Sequence, residues 1–142
     1  SSDLVNIVYL GNGPEENYVD RANAAKVGLY STTVSDLWVN YLKPQECGNR
    51  TGVRYATLIG EKKAFTLIAE PVMELNACHW LPKEVENTWH NKDLPPVTKT
   101  VVRCIARQQG VGGYDSWGAH VNEKYKNKTD KTYRLKFQLR YS

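Results

Sequence analysis

The chain has 142 residues, of which 41% are hydrophobic and 24% are charged, a balance typical of a folded globular domain. Intrinsic disorder, a fibrous repeat and a small disulfide-stapled scaffold are therefore excluded. The net charge of +4 is too small to indicate a nucleic-acid partner, and the sequence has no apolar run near the roughly 18 residues of a transmembrane helix, so no membrane partner is expected either.

Six segments are predicted to form β-strands, because apolar and polar residues alternate along them or because strand-forming residues lie between turn residues. In chain order they are residues 4–10, 28–33, 52–59, 64–69, 100–108 and 133–141. Residues 60–63 join the third and fourth segments as a hairpin loop. The last segment has the clearest alternation and predicts a half-buried strand with its apolar side towards the core. Its apolar residues are Tyr133, Leu135, Phe137, Leu139 and Tyr141.

Helical signals are few. Residues 82–88 predict a short helix, because Pro82 suits the first helical position, and the alanine-rich residues 17–26 predict one helical turn. Residues 11–13 and 110–113 are glycine-rich, follow strands and predict tight turns. Several strands separated by glycine and proline turns predict an all-β fold, an antiparallel β-sandwich, formed by residues 1–142 as a single domain.

The chemistry-bearing residues show no catalytic or metal-binding pattern. Cys78, His79 and His90 are the closest group of Cys and His residues, but their spacing matches no common zinc site. Ser116 lies near His120, yet the Gly-x-Ser-x-Gly sequence of many serine hydrolases is absent. No spacing selects a pair of carboxylates of the kind that a glycosidase requires. We therefore expect no catalytic residue, no metal site and no cofactor in this chain.

The three cysteines, Cys47, Cys78 and Cys104, are an odd number without close pairing. A disulfide framework is therefore not expected, and buried free thiols are the default. This cysteine usage suits a reducing compartment but does not exclude an oxidising one, so the localisation stays open.

The aromatic residues include 4 tryptophans and 9 tyrosines but only 2 phenylalanines. Trp117 follows a glycine turn and comes after Tyr114, Asp115 and Ser116. A tryptophan on a loop beside a sheet suits the apolar face of a sugar ring. The composition alone favours a core tryptophan that caps the sandwich, so both interpretations remain open at this point.

Four stretches of the chain resemble the C-terminal part of the last domain of bacterial β-galactosidases of glycoside hydrolase family 2, which in some bacteria is a separate small chain. Residues 11–21 resemble the family sequence Gly-Pro-x-Glu-Asn-Tyr-x-Asp-Arg, and residues 41–50 resemble Tyr-x-x-Pro-x-Glu-Asn-Gly-x-Arg. Residues 110–117 are similar to Met-Gly-(Ile/Val)-Gly-Gly-Asp-Asp-Ser-Trp, and residues 133–137 match the closing strand. These stretches follow the family order along almost the whole chain.

The resemblance implies a fold similar to part of the β-supersandwich, which is related to galactose mutarotase. It also implies that the full enzyme hydrolyses terminal β-D-galactosides by a retaining mechanism with two carboxylates. The family's acid and nucleophile glutamates, its metal ligands and its catalytic barrel lie in earlier domains, so metal ions are implied for the full enzyme only. The expected partners are a galactoside substrate and the remaining domains or large chain.

The resemblance assigns the site residues by position. Trp117 takes the place of the family's tryptophan that lines the sugar pocket and stacks on substrate, and Tyr114, Asp115 and Ser116 precede it. Tyr114 stands where the family usually has Asp, which leaves the fine substrate preference open. A second set matches charged family positions and is expected to form buried or interface ion pairs that brace loops. This set is Glu16, Asp20, Arg21, Glu46 and Arg50.

Because the chain resembles only the later half of the family's domain, we expect it to expose a strand edge or an apolar face, and to self-associate. Two other functions stay open. One is a stand-alone carbohydrate-binding module that uses Trp117 with Tyr114 and either Trp38 or Trp89. The other is a mutarotase-like enzyme, in which His79, His90 or His120 would pair with a carboxylate.

Overall fold

A computed structural model describes residues 5–20, 25–107, 127 and 132–141. These residues form an all-β fold with one antiparallel sheet of six strands, consistent with a layer of a β-sandwich, and the predicted fold class is confirmed. The strands are β1 (Asn6–Gly13), β2 (Lys26–Thr33), β3 (Arg50–Ile59), β4 (Ala64–Cys78), β5 (Val101–Ile105) and β6 (Phe137–Tyr141). Helical structure among these residues comprises α1 (Pro82–Glu86) and two 3-10 turns, Ser35–Leu37 and Asn91–Asp93. None of these helices is long and apolar enough to cross a membrane.

The long strand β4 organises the sheet, whose order is β2-β1-β3-β4-β5 with β6 also paired to β4. On one side, β4 pairs with β3. On the other side, β6 pairs with the first part of β4, from Phe65 to Ala69, and β5 pairs with its last part, from Glu74 to Cys78. Strands β5 and β6 therefore lie in line, and the chain between them leaves and rejoins the sheet beside the middle of β4.

One face of the sheet carries the hydrophobic core. The register places Tyr9 opposite Ala56 and Ala56 opposite Leu67, so that alternate residues of neighbouring strands meet on this apolar face. Its buried residues on the strands are Ile7, Tyr9, Val53, Ala56, Leu58, Leu67, Ala69, Met73, Leu75 and Ala77. Val34 and Leu37, which both follow β2, complete the cluster. The opposite face carries the polar residues of the second half of β4, and we call it the polar face.

Each of the six predicted strand segments overlaps a strand of the structure. The backbone N–H of Gly60 donates to the carbonyl of Lys63 over 2.9 Å, which confirms the hairpin loop between β3 and β4. Strand β4 continues well past the predicted end at Ala69. Its register with β3 shifts twice beyond Ile68, on either side of the pair that Met73 forms with Val53, and Pro71 in this stretch cannot donate to the ladder. The predicted short helix is confirmed as α1.

The prediction of a tight turn at residues 11–13 is wrong, because these residues complete β1 and pair with β2. Gly11 lies opposite Gly28. A Cβ atom on Gly11 would lie 2.9 Å from the Cα atom of Val53 on β3. The glycine is therefore needed for close approach of two backbones rather than for a turn.

The helical turn predicted within residues 17–26 stays a prediction, because its alanine-rich stretch falls largely on residues that the structure does not describe. Asn17 and Tyr18 have no helical structure, and Lys26 begins β2. Residues 21–24 lie outside the described residues. The side chain of Asn17 bonds to nearby backbone groups, and such bonds compete with helix formation.

The strand predicted at residues 133–141 forms, but its apolar side is not buried as predicted. Phe137, Leu139 and Tyr141 are 43%, 46% and 76% exposed. The physical reason is that alternation determines which residues share a face, whereas burial also requires another layer over that face. Strand β6 lies at the edge of the sheet, where it pairs with the first half of β4, and Leu135 before it is only half-buried.

We expect Leu58→Ala to lower the free energy of unfolding by about 2–5 kcal/mol, because it removes a fully buried side chain from the centre of the apolar face. Leu42→Ala is the matched control, since Leu42 is 99% exposed, and its effect should stay within about 0.5 kcal/mol. Urea unfolding measures both values. Equal losses for the two variants would contradict the assignment of the core.

Candidate functional site

A buried amide holds the loop after β1 to the start of β3. The Nδ2 atom of Asn17 donates to the carbonyls of Asn12 and Glu15 over 3.0 and 2.9 Å. Its Oδ1 atom accepts from the backbone N–H and the hydroxyl of Thr51 over 2.8 and 2.6 Å. Every hydrogen-bonding position of this side chain is therefore filled, although the residue is only 1% exposed.

Asn49 extends this network to β4. The backbone N–H of Asn17 donates to the carbonyl of Asn49 over 2.8 Å, and the Nδ2 atom of Asn49 donates back to the carbonyl of Asn17 over 3.0 Å. The same Nδ2 atom contacts Oε1 of Glu74 on β4 over 3.2 Å. Two stretches that resemble the family, residues 11–21 and 41–50, are thus joined by reciprocal backbone and amide hydrogen bonds.

Arg50 braces the same loop from the apolar face. Its Nε atom donates to the hydroxyl of Tyr9 over 3.0 Å, and its two Nη atoms donate to the carbonyls of Pro14 and Gly48 over 2.8 and 3.0 Å. Burial raises the pKa of the Tyr9 hydroxyl, although the nearby guanidinium opposes that shift. The neutral hydroxyl is then a stable acceptor for the buried cation.

Glu16 joins the two loops through its carboxylate. The hydroxyl of Tyr41 donates to Oε1 over 2.5 Å, and the backbone N–H of Gly48 donates to Oε2 over 2.8 Å. Gly48 has a φ of +80°, a conformation that favours glycine. The chain at this glycine can therefore turn its N–H towards the carboxylate.

The residues predicted to form bracing ion pairs contact different kinds of partner in the structure. Glu46 forms a salt bridge with Arg103 on β5, at 2.7 Å. The bonds given above join Glu16 and Arg50 to neutral groups. Asp20 is buried, and Arg21 lies outside the described residues. That all these residues act as ion pairs stays a prediction.

The predicted sugar-binding residues Tyr114, Asp115, Ser116 and Trp117 lie outside the described residues. The structure does describe the two ends of the segment that carries them. After β5, the guanidinium of Arg107 lies 5.8 Å from the centre of the Tyr133 ring, which precedes β6. This contact between Arg107 and Tyr133 brings the two ends of the segment close together.

Beside this point, β6 is fixed to the irregular middle of β4. The backbone N–H of Glu70 donates to the carbonyl of Lys136 over 2.9 Å, and the Lys136 ammonium lies 3.0 Å from the Glu70 carboxylate. Hydrogen bonding to that ammonium lowers the pKa of Glu70. The segment with the predicted sugar-binding residues thus begins and ends at one anchored place on the sheet.

A cavity of about 290 Å³ lies over the polar face of β4 and β5. Residues from the loop before β3, including Trp38 and Glu46, form one part of its wall, and Trp80 and Val85 form another. The rings of Trp38 and Trp80 meet edge to face with their centres 4.9 Å apart. The Nε1 atom of Trp80 donates to the carbonyl of Pro95 over 2.8 Å. Trp38 was a candidate from the sequence, whereas Trp80 was not, because no motif there gave a signal.

His79 is a buried residue with both ring nitrogens in hydrogen bonds. Its Nε2 atom lies 3.0 Å from the hydroxyl of Ser35, and its Nδ1 atom lies 3.1 Å from the carbonyl of Lys99. Both nitrogens are therefore engaged by groups of the fold. Within the described ranges, no three His, Cys, Asp or Glu side chains are grouped so that they could hold a metal ion.

The three cysteines are free thiols; Cys47 and Cys78 are buried, as predicted, and Cys104 is half-buried. Burial raises the pKa of the Cys47 thiol to about 11, and burial also raises the pKa values of Cys78 and Cys104. These thiols are therefore protonated at neutral pH and act as small apolar side chains.

Residues 1–139 match the family described as "Beta galactosidase small chain". The chain belongs to the β-galactosidase small chain family. It is 38% identical over 135 residues to a β-galactosidase of Priestia megaterium and 37% identical over 141 residues to one of Halalkalibacterium halodurans. It is 33% identical over 141 residues to a β-galactosidase of Streptococcus thermophilus.

These alignments cover 94% to 97% of the small-chain sequence but only 13% to 14% of the three relatives. The chain therefore corresponds to a small part of each of those β-galactosidases. The family prediction is confirmed, and the buried network around Asn17, Asn49 and Arg50 lies in the two stretches, residues 11–21 and 41–50, that resemble the family.

We expect Asn17→Ala to lower the free energy of unfolding by at least about 3 kcal/mol, because it leaves several buried backbone groups without partners. Asn40→Ala is the control at an exposed asparagine and should change it by less than about 0.5 kcal/mol. Urea unfolding followed by tryptophan fluorescence measures both. Similar small effects for the two variants would show that the network does not hold the loop.

We expect Cys104 to react with iodoacetamide before Cys47 and Cys78 in the native protein. Cys104 is more exposed, and a pKa of about 11 leaves only about one Cys47 in a thousand as thiolate at pH 8. Mass spectrometry of timed samples gives the order. In urea all three should react at similar rates, and native Cys47 reacting first would contradict its burial.

Proposed function

We propose that this chain is an accessory domain of a β-galactosidase and that it contributes an aromatic wall, Trp117, to the site that binds the galactoside. The observation that carries the proposal is the family match across residues 1–139, which includes the segment similar to the family's tryptophan motif. Trp117 would stack on the apolar face of the sugar ring, and Tyr114, Asp115 and Ser116 would shape the surroundings.

The anchoring of this segment supports such a role. A stacking residue must be held at a fixed place relative to the reacting bond, because small displacements weaken transition-state binding. Arg107 and Tyr133 hold the two ends of the segment together, and the Glu70–Lys136 pair fixes the returning chain to β4. The wall would therefore be carried by the sheet rather than by a free tail.

An exposed part of the apolar face supports the proposed partner, which is the remainder of the β-galactosidase. We call it the open apolar patch. It consists of Phe65, Val102, Cys104, Phe137, Leu139 and Tyr141, which line one shallow depression together with the buried Leu67. The chain accounts for only 13% to 14% of its β-galactosidase relatives, so most of the enzyme lies elsewhere. Burial of this patch against other domains would stabilise the assembly, and in their absence the same patch would drive self-association.

The chemistry would come from the other domains. Glycoside hydrolysis with retention requires one carboxylic acid and one carboxylate nucleophile on opposite sides of the bond. In this chain the carboxylates of Glu16, Glu46 and Glu70 are all engaged by neighbouring groups of the fold. Its role would be to bind and orient the sugar, and no metal-dependent step is assigned to its residues.

We expect the chain alone not to hydrolyse an aryl β-galactoside, and activity to appear when it is joined to or mixed with the remaining β-galactosidase domains. In that assembly, Trp117→Ala should lower kcat/KM at least about tenfold, because stacking is lost. Trp89→Ala is the control, since Trp89 is 72% exposed and belongs to another loop. Assembly should also slow alkylation of Cys104 in the open apolar patch.

Robust hydrolysis by the chain alone would overturn the accessory role. Equal effects of Trp117→Ala and Trp89→Ala would overturn the aromatic wall. Saturable binding of galactose by the isolated chain that Trp117→Ala abolishes would instead favour a stand-alone carbohydrate-binding module.

A further inference from the structure

We propose that the cavity lined by Trp38 and Trp80 is a saccharide site. It would take a neutral, polyhydroxylated ligand of about the size of one sugar ring. The proposal rests on the described residues of the cavity and does not depend on the proposed function.

The size and the aromatic wall fit such a ligand. The volume of about 290 Å³ lies at the lower end of small-molecule sites, which span about 300–1,000 Å³. Two indole rings line it, and Val85 and Pro44 add further apolar surface. Apolar walls with aromatic rings suit the C–H face of a sugar, while its hydroxyl groups require polar partners at the edges.

Those polar partners are present with balanced charge. Arg103 and Glu46 form a salt bridge of 2.7 Å with side chains that are 27% and 39% exposed, so that both reach the solvent side of the cavity. Lys43 and Glu86 also line it and add one further charge of each sign. A cavity with two cations and two anions favours a neutral ligand that both donates and accepts hydrogen bonds, rather than an anion or a cation.

Unsatisfied polar atoms among the cavity residues support the same class of ligand. The Nε1 atom of Trp38, the Oδ1 atom of Asn76 and the Nε atom of Arg103 are buried without a hydrogen-bond partner in the structure's described part. They comprise two donors and one acceptor. Native proteins leave few buried polar groups unpaired, and a ligand hydroxyl that displaces the side chains covering these atoms would satisfy them.

The cavity and the open apolar patch lie on opposite faces of the sheet. Asn76 and Arg103 are register partners, and they lie on the polar face of β4 and β5. Leu75 and Cys104, the adjacent pair, point to the opposite, apolar face. A saccharide in the cavity would therefore leave the open apolar patch available to the rest of the enzyme.

The test uses the full chain with Trp117→Ala, so that the site at Trp117 cannot contribute. Galactose, glucose and lactose are titrated with saturation-transfer NMR and tryptophan fluorescence, with indole and benzoate as apolar and anionic probes. We expect saturable binding of at least one sugar in the millimolar range. Adding Arg103→Met should weaken this binding about tenfold, and adding Trp80→Ala should abolish it. The matched control Arg140→Met, at an exposed residue of β6, should leave the affinity within about twofold.

Urea unfolding of each variant establishes that it folds. If Trp80→Ala does not fold, Glu46→Gln replaces it, because this conservative change at a partly exposed residue should weaken binding several-fold. Three results would overturn the proposal. They are absence of saturable sugar binding in the Trp117→Ala chain, equal effects of Arg103→Met and Arg140→Met, and binding of indole or benzoate alone.

Discussion

The side-chain amide of Asn17 is the interaction on which the arrangement of the loops depends. It fills both of its donor and both of its acceptor positions with groups of Asn12, Glu15 and Thr51. A buried network of this kind has few alternative arrangements, because any shift leaves a polar group unpaired at a cost of about 1–3 kcal/mol. Once this loop is fixed, Glu16 fixes the loop at Tyr41 and Gly48, and the wall of the cavity follows from that.

Strand β4 contributes different residues to the two faces of the sheet. On the apolar face its odd-numbered residues build the core and part of the open apolar patch, where assembly is proposed. On the polar face, Glu74 accepts a hydrogen bond from Asn49, and Asn76 donates one to the carbonyl of Cys47. The cavity lies between this loop and β5. Because consecutive residues of a strand point to opposite faces, one segment of chain can serve two surfaces that do not compete.

The fold class and the six strands could be predicted from the sequence, because period-two alternation is a local property. Tyr133 to Tyr141 shows the limit, since the alternation correctly grouped Phe137, Leu139 and Tyr141 but not their exposure, which depends on residues far away in the chain. The prediction of a turn at Gly11 and Gly13 was wrong because glycine is needed equally for a turn and for close packing, which Gly11 makes against Val53 and Gly13 against Tyr9 and Tyr30. Of the site, the resemblance identified the motifs, but the partners of Asn17 and the cavity around Trp80 arise from contacts between distant loops, which no spacing in the sequence reveals.

The collinear arrangement of β5 and β6 has a consequence for how the domain tolerates change. Each of the two strands has its own pairing with β4, so neither depends on the other for its register. We expect a change in the length of the connection to leave the described ladders of β5 and β6 in register, provided that its ends still reach Arg107 and Tyr133. Under the proposed role of Trp117, ligand preference would then diversify in this connection while the sheet stays the same.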